Sequence, residues 1–92
     1  MSTLPPRRGE VWVVSFHQSR GSEQRGVRPA LVIQNDVGNE YAATTIVATI
    51  TSTVKAYPVT VPLRKGDGGL PQPSMVNLAQ ILTVDKSRLQ RR

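Results

Sequence analysis

The segment Thr44-Thr45-Ile46-Val47-Ala48-Thr49-Ile50-Thr51 constrains the fold more than any other part of the chain. Its residues are β-branched or small, and its side chains sort at a period of two, which suits a strand and not a helix. Thr44, Ile46, Ala48 and Ile50 share one face, apolar enough for a core. Thr45, Val47, Thr49 and Thr51 share the other, where three hydroxyls would line a groove with Thr51 at its end. Threonine also suits strands through β-propensity alone.

The flanking segments carry the same signal. Val11-Trp12-Val13-Val14-Ser15-Phe16 is rich in β-branched and aromatic residues and reads as a first strand. Ala30 to Ile33 is a continuous apolar run, expected to be covered on both faces. Pro29 precedes it and, lacking an N–H, should begin a strand or lie at an edge. Pro58 to Leu63 reads as a short fourth strand, its prolines marking an edge or a strand end, and Ser74 to Val84 as a fifth strand with mixed patterning. Val37-Gly38-Asn39-Glu40 and Arg64 to Pro73 read as turns. Asp85 is placed to cap a short terminal helix, Lys86 to Arg92, whose basic residues suit the negative end of the dipole. Residues 1–6, with Pro5-Pro6, form a disordered tail ahead of one domain, 7–92. Five short strands with polar loops imply a small antiparallel barrel or a curled sheet.

Length allows one domain and one modest core. Twelve Lys and Arg against six Asp and Glu leave a net charge of +6, which favours an anionic partner, nucleic acid or an acidic protein segment. Absence of cysteine excludes disulfides and thiolate metal sites and is compatible with a reducing cytosol. No apolar run approaches the ~18 residues of a membrane span, and the N-terminus lacks a signal-peptide apolar region. The expected location is cytoplasmic.

Familiar catalytic constellations are missing. One histidine, His17, leaves neither a metal-ligand cluster, nor a Ser-His-Asp set, nor a two-histidine ribonuclease site. No phosphate-cradling glycine loop is present, and the six carboxylates are scattered through loops. No cofactor or metal is therefore expected. An enzyme built this way must act by positioning and by cationic stabilisation of developing charge. RNA suits such a site because its 2′-hydroxyl supplies the nucleophile. Arg28 stands where the polar loop His17–Val27 meets the apolar strand, so it can be aimed at a phosphate from a rigid base.

Arg8-Gly9-Glu10-Val11-Trp12, then Gly21-Ser22-Glu23-Gln24, then Arg28-Pro29-Ala30-Leu31-Val32-Ile33, in this order and spacing, resemble the MazF/PemK family of toxin endoribonucleases. Gln34-Asn35-Asp36, Thr45-Ile46-Val47-Ala48 and Gln80-Ile81-Leu82-Thr83-Val84-Asp85-Lys86 extend the match, which runs from about residue 7 to the last. The resemblance implies a small SH3-like β-barrel that forms a homodimer. It implies cleavage of single-stranded RNA, chiefly mRNA, at short sequences without a metal. It also implies neutralisation by a cognate antitoxin, whose acidic tail occupies the RNA groove.

On the same resemblance, Arg28 matches the family's catalytic arginine and Thr51 the catalytic threonine of its arginine–threonine branch. Glu23, Gln24, Pro29, Asn35 and Gln80 are the candidate RNA-binding residues, since amides and carboxylates pair with exposed base edges. Another branch uses a histidine and an aspartate where this chain has Ser22 and Ala79, so that chemistry is not expected here. Relatives also continue into a final strand-and-helix segment, whereas this chain stops at Arg92. A gyrase-binding toxin resembling CcdB is the main alternative, but its terminal Trp-Gly-Ile is replaced here by Gln90-Arg91-Arg92. A plain RNA-binding barrel is the other, although one Trp, two Tyr and one Phe make a poor stacking platform.

Overall fold

The computed structural model describes residues 4–16, 26–52 and 60–92. The described residues form one antiparallel sheet: β1 (Val11–Phe16), β2 (Gly26–Val32), β3 (Thr44–Thr51), β4 (Thr60–Leu63), β5 (Ser74–Asp85) and β6 (Leu89–Arg91), with one short helix, α1 (Asp36–Tyr41). Strand order is β4-β5-β3-β2-β1-β6, so β3 and β2 are central and β4 and β6 are edges. The mainly β, antiparallel expectation holds.

β5 bends where its pairing jumps. Ala48 faces Ile81 but Thr49 faces Asn77, leaving Leu78, Ala79 and Gln80 as an outward bulge. A bulge increases local twist and turns the strand, which lets the sheet curl. Alternate residues of the central strands enter two separate apolar clusters. Val11, Ala48, Ile50, Leu70 and Val76 make one, and Val14, Phe16, Ala30, Val32 and Val47 make the other. Fully burying a side chain such as Val14 or Ile50 contributes roughly 1.5–3 kcal/mol, so both clusters hold the fold.

Four expectations are corrected. First, the Thr45–Val47–Thr49 face of β3 does not line a groove: Thr45 and Val47 are wholly buried and Thr49 is nearly so. A central strand in a curled sheet is covered on both sides, and the two hydroxyls turn inward to Asn39 and Gln80. Second, residues 37–40 are not a turn but lie within α1. Asn35 caps that helix, its side-chain oxygen accepting from the Gly38 N–H at 2.8 Å; the Asn-Asp and Gly signals read as turn punctuation are here a helix start.

Third, Pro29 neither begins β2 nor lies at an edge strand. Val32 directs its N–H and C=O at Glu10 and Gly9, towards β1, whereas the Ile33 N–H reaches Ile46 on the β3 side. By alternation the nitrogen of Pro29 faces β3, and pairing to β3 ends one residue earlier, at Ala30–Thr49. The missing donor leaves no broken ladder bond. Fourth, the terminal helix is a single 3₁₀ turn, Lys86–Arg88. Asp85 does cap it by accepting from the Ser87 N–H at 2.9 Å, but the chain then extends as β6 along the free edge of β1. Packing of Leu89 against the Val14 cluster prevails over the weak helical preference of so short a segment.

Edge strand β4 carries Pro62 opposite Met75, as an edge strand allows. Residues 58 and 59 of the expected fourth strand lie outside the described residues. No helix among the described residues is long and apolar enough to cross a membrane.

Candidate RNA-binding cleft

The separation of β2 from β3 past Ala30 opens the mouth of a cleft of about 460 Å³. Continuing the β2–β3 register by two residues from Ala30–Thr49 brings Arg28 opposite Thr51. Both line the cleft, together with Pro29 and Ser52. Its apolar side is made by Val11 and Val13 of β1, Ile50 of β3 and Leu70.

The far wall is the turn Gly66–Gln72. Gly68 takes φ +59°, and a Cβ there would stand 2.4 Å from Cγ2 of Val11, so only glycine permits this close approach. Asp67 holds the turn by accepting from the Arg64 N–H at 2.8 Å, and the Ser74 hydroxyl donates to the Gln72 carbonyl at 3.0 Å.

Among the described residues, Arg28, Arg91 and Arg92 line the cleft and no aspartate or glutamate does. A low-dielectric wall bearing one sign of charge concentrates the field on an anion. Glu10 sits behind this surface. Its carboxylate accepts from the Arg7 N–H at 2.8 Å and the Trp12 indole N–H at 3.0 Å, and forms an ion pair with Arg92. The Arg-Gly-Glu-Val-Trp signature is therefore a folded unit: a tight turn, a carboxylate that closes it, and an indole that meets the carboxylate. Burial raises the Glu10 carboxyl, but hydrogen bonds from Arg92, Trp12 and Arg7 outweigh burial and hold it below the ordinary value of 4.5.

A depressed carboxylate binds fewer protons in the folded than in the unfolded chain. Its stabilising contribution is present above the unfolded value and lost as pH falls through the folded one. Asp85 is shifted in the same direction by the Ser87 hydrogen bonds. Thermal melts should therefore show the midpoint falling below about pH 4.5, and Glu10→Gln should flatten that fall. An equally steep acid decline in the variant would remove Glu10 from the account.

The predicted site residues separate into three groups. Arg28, Pro29 and Thr51 meet in the cleft. Asn35 caps α1 and Gln80 lies in the β5 bulge, its side-chain oxygen accepting from the Thr49 hydroxyl at 3.1 Å; neither lines the cleft. Glu23 and Gln24, like His17 and Ser22, lie outside the described residues. Arg91, Arg92 and the Gly68–Gln72 wall were not expected at a site. Only the density of arginines near the end of the chain hinted at them, and that was absorbed into a helix.

A curled sheet with an arginine-lined cleft, on a chain of net charge +6, is of the class whose surface charge suits a nucleic-acid strand. Residues 7–92 match the family described as PemK-like, MazF-like toxin of type II toxin–antitoxin systems, and the chain belongs to that family. It is 44% identical over 85 residues to Endoribonuclease MazF of Staphylococcus saprophyticus, covering 90% of this chain and 71% of that protein. Among solved structures, MazF of Deinococcus radiodurans superposes with a TM-score of 0.77 at 26% identity, over 97% of this chain and 84% of that one. A mycobacterial endoribonuclease in complex with its cognate antitoxin superposes with a TM-score of 0.74 at 26% identity, over 91% and 72%.

Proposed function

We propose that this chain, an endoribonuclease of the MazF/PemK family, cleaves single-stranded RNA in the cleft between β2 and β3. The observation that carries this reading is the meeting of Arg28 and Thr51 at one arginine-lined opening. The 2′-hydroxyl oxygen attacks the adjacent phosphorus, a 2′-O–P bond forms and the P–O5′ bond breaks. The proton of the 2′-hydroxyl leaves to solvent and the 5′-oxygen gains one. The products are a 2′,3′-cyclic phosphate and a 5′-hydroxyl end.

Arg28 neutralises the charge that builds on the phosphorane, and Thr51 donates a hydrogen bond to the same phosphate. A guanidinium with a pKa above ~12 is a poor base at neutral pH, so its role is electrostatic rather than proton transfer. No step calls for a metal ion. A cognate antitoxin binds the protein, a reading supported by the antitoxin complex of the mycobacterial neighbour, and its acidic segment competes for the same cations. The working form is a homodimer in the cytoplasm. Glu23, Gln24, Asn35 and Gln80 remain the residues proposed to read bases.

The direct test incubates a defined long transcript with the protein in EDTA, beside a substrate carrying deoxyribose at the mapped cut site. The transcript is cut and the deoxyribose substrate survives. Equal cutting of both would rule out attack by the 2′-hydroxyl, and no cutting of either would return the chain to a binding-only role.

A further inference from the structure

Arg91 lies in the cleft at a place the proposed reaction does not use. In β6 it pairs with Val13 of β1, and Val13 pairs on its other side with Pro29 of β2. These three residues form one row across the sheet. Arg91 therefore stands two strand spacings, roughly 9–10 Å at Cα, from the residue next to Arg28.

Arg91 in β6 and Arg92 just after it are not equivalent. Arg92 is held by Glu10 and so largely neutralised. Arg91 is exposed and, among the described residues, forms no ion pair. The Glu10–Arg92 pair joins the residue before β1 to the residue after β6. The site thus presents a second cation, backed by a paired strand, with no aspartate or glutamate among the described lining residues to compete for it.

We propose that Arg91 binds a backbone phosphate flanking the scissile one and so sets the path of the RNA strand through the cleft. A guanidinium takes phosphate oxygens in a two-pronged hydrogen-bonded fit. Arg28 lies in β2 and Arg91 in β6, with β1 between them, so each arginine acts on its own phosphate. Arg91 is a positioning residue; the word scissile rests on the nuclease reading, but the phosphate contact does not.

The test measures binding of fluorescein-labelled single-stranded DNA, which lacks the 2′-hydroxyl and is not cut, by anisotropy across a range of KCl concentrations. Arg91→Ala weakens binding roughly three- to tenfold at low salt and reduces the salt slope by about 0.7, the loss of one counterion-releasing contact on a single strand. Arg91→Lys keeps the slope, because a point charge on phosphate suffices. In single-turnover cleavage of a long transcript, Arg91→Ala retains the wild-type rate at saturating protein and is slower only below saturation. An unchanged slope and affinity would overturn the proposal, as would a lost saturating rate with the slope intact. If the wild-type protein binds without cutting, the nuclease reading falls while the slope comparison still decides Arg91.

Discussion

Arg28→Ala lowers the rate of RNA cleavage by at least about a hundredfold, the scale on which losing one charge-stabilising group at a reacting centre is felt, and leaves the circular dichroism spectrum folded. The residue is exposed, on the stretch of β2 that no longer pairs with β3, and belongs to neither apolar cluster. Truncating it removes a cation without opening a cavity. Arg28→Lys restores only part of the rate, since an ammonium supplies charge but not the planar two-pronged contact. Thr51→Ala loses less than Arg28→Ala, because a neutral hydrogen bond is weaker than a charge-assisted one. Wild-type cleavage by Arg28→Ala would remove this arginine from the chemistry.

Asn39→Leu destabilises the protein by about 3 kcal/mol or more, read as a shift of the urea midpoint. Asn39 is wholly buried, and every polar atom of its side chain is used. Its side-chain oxygen accepts from the Gln34 amide at 3.0 Å and the Thr45 hydroxyl at 2.6 Å, while its amide donates to the Gln34 carbonyl at 3.0 Å. Its backbone carbonyl accepts from the Lys86 ammonium at 2.6 Å. Leucine keeps the backbone carbonyl for Lys86 but would strand the partners of the side chain, the Thr45 hydroxyl and the Gln34 amide and carbonyl, in a low-dielectric site at about 1–3 kcal/mol each. Thr45→Val, which removes one donor and leaves the rest paired, costs only about 1 kcal/mol. The network grips the start of β3, some 20 Å along the strand from Thr51 at 3.4 Å per residue, so cleavage per folded molecule changes little. An Asn39→Leu midpoint within about 1 kcal/mol of wild type would mean the network is not cooperative.

The two variants test different layers of the molecule. Arg28 is the residue proposed for the chemistry, singled out from its junction between loop and strand. Asn39 belongs to the frame and went unnoticed, because a lone asparagine beside glycine carries a turn signal whether or not it is buried. What made it structural was Thr45 and Lys86 arriving from elsewhere in the chain. Gln80 was singled out from the sequence, but its place in a bulge beside Thr49 was not legible there. That bulge arises from a jump in pairing between two strands, which neither strand encodes alone.

The amino-acid sequence by itself determined that this chain builds strands, that it carries excess positive charge, and that Arg28 stands at the entrance of a buried strand. Those properties are local: periodicity, composition and the geometry of proline act over a few residues. Tertiary structure alone decided that both faces of β3 are covered, that residues 37–40 are helical, and that the end of the chain pairs as β6 beside β1. It also decided that Arg91 shares a cleft with Arg28. The physical reason is that burial and pairing depend on partners distant in the chain, and a free strand edge is filled by whichever segment reaches it with apolar surface to hide.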